Sequence, residues 1–203
     1  MKQKLIKIAM LAIVLLSLVC TQPTSAGGGC GIDASYINEE GQVAGHGQTT
    51  SGFHAFLWTN GKAADLGTLG GGCSFARDVN NHGQVIGDSA VASGDSHAFL
   101  WKDGKMIDLG TLGGANSSAD AINERGDVVG QSQTSLGEPH AFLWKNGKMT
   151  DLGTLGGGSV SIATDINERG QVVGVGRTAS GEPHAFLWQN GTMTDLGALS
   201  AQQ

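Results

Sequence analysis

Apolar and polar positions alternate along this chain in short runs separated by Gly, Asn and Asp, a period of two that predicts strands and no helix. The stretch from Gly113 to Leu155 serves as a type unit. Ala119-Asp120-Ala121-Ile122 and Asp127-Val128-Val129-Gly130 flank Asn123-Glu124-Arg125-Gly126, where Asn at the first position and Gly at the fourth suit a type I turn closed by a left-handed glycine. A third run, His140-Ala141-Phe142-Leu143-Trp144, is rich in β-prone aromatics. Asn146-Gly147 then separates it from Lys148-Met149-Thr150-Asp151-Leu152; this dipeptide favours a type I′ turn, whose two central residues both need positive φ. One unit thus reads as four antiparallel strands.

The unit occurs four times. His-Ala-Phe-Leu-Trp begins at His54, His97, His140 and His184, at spacings of 43, 43 and 44 residues. The first turn recurs at Asn38 to Gly41, Asn80 to Gly83 and Asn167 to Gly170, and the second at Asn60-Gly61, Asp103-Gly104 and Asn190-Gly191. Four short strands in about 43 residues is the size of a β-propeller blade. The expected fold is therefore all-β: a small propeller of four units, approximately 27–69, 70–112, 113–155 and 156–199, within one domain, 27–203. The Phe and Trp of each third strand should fill the space between blades. Either four blades close a ring, or one chain supplies half of a larger ring completed by a second copy, so monomer and homodimer both stand as expectations. An open stack of sheets ranks second, because neither end repeat reads as a polar cap.

The recurring His-Ala-Phe-Leu-Trp resembles the HAF repeat family, as do Asp-Leu-Gly-Thr-Leu-Gly-Gly (Asp65 to Gly71, Asp108 to Gly114, Asp151 to Gly157) and Ile-Asn-Glu-Arg-Gly (Ile122 to Gly126, Ile166 to Gly170). The likeness extends over essentially all of residues 27–203. It implies a bacterial extracellular repeat protein with a repeated β fold and supplies no catalytic residues. The last copy departs from the pattern, ending Asp195-Leu196-Gly197-Ala198-Leu199 without its glycine run.

Residues 1–26 read as an export leader: Lys2, Lys4 and Lys7 precede an apolar run, Ile8 to Val19, too short for a membrane span, and Thr24-Ser25-Ala26 offers a cleavage site. A lipoprotein anchored at Cys20 is the competing reading. Without the leader, nine basic side chains face eighteen acidic ones, which argues against nucleic acid as a partner. The expected location is the periplasm or the exterior, with no membrane span. About a sixth of the residues are glycine, but they recur in phase and so mark turns rather than disorder. Cys30 and Cys73 occupy matching places in neighbouring repeats, where a disulfide and two packed thiols are both admissible.

No cofactor motif is present, and none is expected. The four signature histidines invite a metal ring, but a residue present in every unit is more simply a structural fastener, with Asp65, Asp108, Asp151 and Asp195 as its partners. Asp165 to Gly170 resembles the opening of a calcium loop and fails on spacing, since Arg169 and Gly176 stand where ligands belong. Glu39, Glu40, Glu124 and Glu168 read as solvated turn charges. The segments that vary most between units are His46 to Phe53, Asp88 to Ser96, Gln131 to Pro139 and Val175 to Pro183, expected as long loops on one face. Within them Thr49, Thr50, Ser51, Ser93, Asp95, Thr134, Glu138, Arg177, Thr178 and Glu182 are the candidate recognition residues, suited to a glycan or a protein surface. The function expected is a binding module without chemistry of its own. A polysaccharide-cleaving hydrolase or lyase and a structural repeat protein without a ligand are the alternatives.

Overall fold

A computed structural model of the chain describes residues 32–198. The leader, Cys20 and Cys30 lie outside the described residues. The first blade comprises β1 (Asp33–Ile37), β2 (Val43–Gln48), β3 (Phe53–Thr59) and β4 (Lys62–Asp65). The second has β5 (Gly70–Val79), β6 (Val85–Val91), β7 (Ser96–Lys102) and β8 (Lys105–Asp108). The third has β9 (Gly113–Ile122), β10 (Val128–Thr134), β11 (Pro139–Lys145) and β12 (Lys148–Asp151), and the fourth β13 (Ser161–Ile166), β14 (Val172–Arg177), β15 (Pro183–Gln189) and β16 (Thr192–Gly197).

Each blade is an antiparallel meander, and the blades succeed one another in the manner of a β-propeller. The turn chemistry read from the sequence accounts for the hairpins. Asn60, Asp103, Asn146 and Asn190 are the described non-glycine residues with positive φ, each followed by a positive-φ glycine, as a type I′ turn demands. At the other turn Asn123 accepts from Gly126 N–H at 3.0 Å and donates its own N–H to Asp127 O at 3.1 Å, while Gly126 has φ 79°.

Three apolar clusters fill three joints. Between the second and third blades lie Ile86, Ala98, Leu100 and Leu109 from one side and Ala119, Ile122, Val128 and Phe142 from the other. The third-strand Phe of blades two to four, Phe99, Phe142 and Phe186, is completely buried against the preceding blade. Polar groups at the joints are matched with equal economy. Ser117 Oγ accepts the Ala98 N–H at 2.9 Å and donates to Gly110 O at 2.6 Å; Ser74 and Ser161 repeat the bridge at the joints on either side. A buried serine with donor and acceptor both engaged carries no desolvation debt.

The first strands of successive blades, β1, β5, β9 and β13, approach one another, so they are the innermost. Their turns form a ladder that sequence reading did not find. Asn38 Nδ2 donates to Asn80 O at 2.7 Å, Asn80 Nδ2 to Asn123 O at 3.0 Å, and Asn123 Nδ2 to Asn167 O at 3.2 Å. Beside it, Asn81 N–H donates to the Glu124 carboxylate and Glu124 N–H to Glu168 Oε1 at 2.8 Å. Glu124 and Glu168 carry charges that stay in contact with solvent, as turn charges should, and they are also fasteners between blades. No strand of the fourth blade pairs with the first, so among the described residues the ring stays open.

Candidate functional site

The meander places the turns between second and third strands, together with the strand-four exits, on one face of the arc, and the asparagine turns on the other. On the first face every signature histidine is fastened within its own blade. His54, His97, His140 and His184 donate through Nδ1 to both oxygens of Asp65, Asp108, Asp151 and Asp195, at 2.8 to 3.1 Å. The same aspartates accept a backbone N–H two residues on, from Gly67, Gly110, Gly153 and Gly197. The pair locks the strand-four exit to the start of strand three. For Asp195, the hydrogen bond from His184 and that from Gly197 hold the carboxyl below its usual range. Among the described residues no group of three or more His, Cys, Asp or Glu is placed to hold a metal ion.

The segments expected as long loops are mostly strand. His46–Gln48, Asp88–Val91, Gln131–Thr134 and Val175–Arg177 continue their ladders, which leaves tight turns at 49–52, 92–95, 135–138 and 178–182. The hydroxyl residues there hydrogen-bond to their own turns. Thr49 N–H donates to Gly52 O at 2.7 Å and Thr49 Oγ1 lies 3.1 Å from Ser51 Oγ, with Thr50 exposed beside them. Ser93 donates to Asp95 at 2.8 Å, and Thr134 and Thr178 N–H groups close on Glu138 O and Glu182 O. Arg177 Nη1 is spent on Gly181 O at 2.8 Å. These residues stand apart, one turn per blade, rather than converging. Cys73 is half-buried where β5 bridges Phe53, and its suggested partner Cys30 is outside the described residues.

What does converge lies between two of these turns. A cleft of about 390 Å³ opens between the second and third blades, lined by Arg77, Asp88, Ser96, Asn116, Gln131 and Gln133, among others. Arg77 Nε donates to Asp88 Oδ1 at 2.6 Å, and Ser118 Oγ reaches the same oxygen at 3.4 Å. Asn116 Oδ1 accepts the Ser96 N–H at 3.0 Å, while its own N–H and Nδ2 both donate to Gln133 Oε1 at 3.1 Å. The equivalent positions at the first joint carry His46, Phe53, Cys73 and Phe75, with His46 edge-on to Phe75 and Phe53 stacked on it. On the fourth blade, Val160 and Ile162 stand where the cleft has Asn116 and Ser118. One polar cleft thus sits between two more apolar joints on an otherwise repeated scaffold. Its residues were legible only as departures from the repeat, a weaker signal than the varied turns.

Arg77 and Asp120 are the extra residues of matching bulges in β5 and β9, the local geometry that re-aims a side chain. Asp120 Oδ1 lies 3.7 Å from Arg77, while its buried Oδ2 has no hydrogen-bond partner. Burial raises the Asp120 carboxyl above its usual range, Arg77 opposing and Asp88 adding to the rise. Asp78 is raised by burial as well, although it accepts the N–H groups of Ile122 and Val79. A raised carboxyl favours the protonated fold: its contribution is full below the unfolded value of about 3.8 and is lost as pH rises through the folded value. At neutral pH an ionised Asp120 is therefore a cost. Asp120→Asn is expected to stabilise the chain at pH 7, a gain that shrinks as pH falls toward the unfolded value. Urea unfolding at several pH values reads this directly; equal midpoints throughout would refute it.

No protein-family model matches the chain, and no curated protein is significantly similar to it. Solved structures are similar in fold. TolB from Acinetobacter baumannii superposes with a TM-score of 0.58 at 15% identity, over 82% of this chain and 43% of that one. The β-propeller domain of the Trilobed protease from Pyrococcus furiosus, described as having an open velcro topology, gives 0.52 at 12% identity over 77% and 51%. Pyrococcus horikoshii acylaminoacyl peptidase gives 0.51 at 15% identity over 77% and 25%. The chain spans about half or less of each of these chains, and at such identities the likeness establishes the propeller fold alone. Among the described residues no helix is long and apolar enough to cross a membrane.

Proposed function

We propose that this chain is an exported HAF-type binding module that takes a glycan in the polar cleft between its second and third blades and performs no chemistry on it. One observation carries the reading: the cleft at the middle joint is lined by Arg77, Asp88, Ser96, Asn116, Gln131 and Gln133, an amide, hydroxyl and charged set on a rigid sheet surface. Sugars are bound by such planar polar groups, which meet vicinal hydroxyls with paired donors and acceptors. The exposed turns at 92–95 and 135–138 flank the cleft and give it rims.

The test is binding of the purified protein to an array of immobilised neutral and uronate-containing oligosaccharides, with Asn116→Ala and Asp88→Asn beside the native chain. A tenfold or greater loss of affinity in both variants is expected, since Asn116→Ala removes a hydrogen-bonding amide and Asp88→Asn turns one carboxylate acceptor into a donor and removes the charge that holds Arg77, each change worth about 1.5 kcal/mol. Binding that ignores both substitutions would remove the cleft from the reading, and no binding to any sugar would leave a protein surface as the ligand to test. A polysaccharide-cleaving enzyme is the second reading, favoured by Asp120, whose burial-raised carboxyl lies across Arg77 from Asp88. Release of reducing ends from any bound sugar, abolished in Asp120→Asn, would replace the first reading with the second.

A further inference from the structure

The two ends of the arc are the two halves of one joint. Among the described residues the exposed large apolar side chains are Ile32, Ile37, Leu136, Val173, Val175 and Leu196, and all but Leu136 lie on the end faces. Their counterparts inside the arc are covered. Ile37 is 50% exposed where Val79, Ile122 and Ile166 are buried; Val173 is 40% exposed where Ala44, Ile86 and Val129 are buried. Leu196 is 58% exposed where Leu66, Leu109 and Leu152 sit against the next blade's Phe, Trp and Met. On the first blade the place that receives this leucine is an apolar hollow of about 160 Å³, lined in part by Ile32, Phe56, Trp58 and Ala63.

The polar fasteners stop in register with the apolar ones. Asn167 repeats Asn38, Asn80 and Asn123, each of which donates to the next turn's carbonyl; among the described residues Asn167 Nδ2 bonds only its own Gln171, at 2.7 Å. Glu168 repeats Asn81 and Glu124, whose N–H groups donate to the side chain one blade on. Asp165 repeats Asp78: one oxygen accepts its own strand's Ile166 N–H at 2.7 Å, as Asp78 accepts Val79, and Asp78 uses its other oxygen on Ile122 N–H of the next blade at 3.0 Å. For the first and third of these the complement stands on the first blade: the Asn38 carbonyl and the Ile37 N–H.

We propose that a second copy of this chain docks head to tail, the fourth blade of one copy seated on the first blade of the next. Leu196, Val173 and Val175 cover Ile37, Phe56 and Trp58, and the asparagine ladder continues from Asn167 to Asn38 of the next copy. Ile32 stands where the inner joints have Ser74, Ser117 and Ser161, so this joint exchanges a serine bridge for apolar contact. A heterologous contact of this kind closes into a ring when the rotation per chain permits and otherwise propagates as a chain of copies. Docking sets the turn at 178–182 beside that at 49–52, making the polar face continuous across copies.

The experiment is the mass of the purified full-length product by light scattering over a dilution series, for the native chain, Val173→Asp and Ile37→Asp. The native chain is expected at twice its own mass, or as a concentration-dependent series of multiples. Each variant alone is expected at the single-chain mass, with an unchanged β circular-dichroism spectrum because both side chains are already exposed. A mixture of the two is expected to recover a two-chain complex, since each variant keeps the face the other has lost. A native chain at its single mass under all conditions, or assembly that survives both substitutions, overturns the proposal.

Discussion

Gly130→Ala is expected to destabilise the protein by about 3 kcal/mol or more, an effect out of proportion to one methyl group. In the middle of a strand alanine normally gains about 0.5–1 kcal/mol over glycine by restricting the unfolded chain. Here the added carbon would lie 2.1 Å from the Ser118 carbonyl oxygen and 2.9 Å from Ala119 Cα. Those atoms are backbone and cannot rotate aside, so the two inner strands must part at the Asp120 bulge. The same crowding recurs in every blade, with Gly45 at 1.8 Å from Asp33 O, Gly87 at 1.9 Å from Phe75 O and Gly174 at 2.0 Å from Ile162 O. Gly72→Ala provides the control, because that glycine is exposed and open space surrounds its missing carbon. A denaturant midpoint that falls sharply for Gly130 and one that stays level or rises for Gly72 are the expected pair. A Gly130 variant as stable as the native chain would mean that the bulge is absent in solution.

Phe142→Ala is expected to cost about 3–5 kcal/mol and to change the form of unfolding as well as its midpoint. Phe142 is fully buried on the third blade and belongs to the cluster that includes Ile86, Leu100 and Leu109 of the second. In a stack of repeats stability is a sum of units and nearest-neighbour joints. Emptying the middle joint therefore uncouples the first two blades from the last two. The transition of the native chain should split or broaden in the variant, and hydrogen exchange should rise on both sides of the joint. A single sharp transition with a small shift would show that the joint is held by the asparagine ladder rather than by its apolar filling.

The elements were legible because their causes are local. Positive φ at Asn60, Asp103, Asn146 and Asn190 follows from the dipeptide each belongs to, and the strand of His54 to Trp58 follows from its own composition. The partnership of His54 with Asp65 was legible too, since a repeated donor and a repeated acceptor at fixed separation have one simple use. The second role of the exposed Glu124 and Glu168 carboxylates was not legible, because a turn residue shows no partner until the neighbouring blade is in place to supply an N–H. The varied segments were misread as long loops for a related reason. Gly and Asp disfavour a strand by propensity and Ser and Gln add little in its favour, yet Gln131 to Thr134 and Asp88 to Val91 are held in one by pairing with their neighbours.

Period, turn type and strand content are properties of a few consecutive residues, and the sequence alone determined them. Which strand lies innermost, which joint becomes a polar cleft and which faces are left uncovered depend on residues about 43 positions apart meeting across a joint. Arg77, Asp88 and Asn116 are unremarkable polar residues in their own strands. Only the stacking of one blade on the next brings them to a common cleft, because a contact between repeats is written in neither repeat separately.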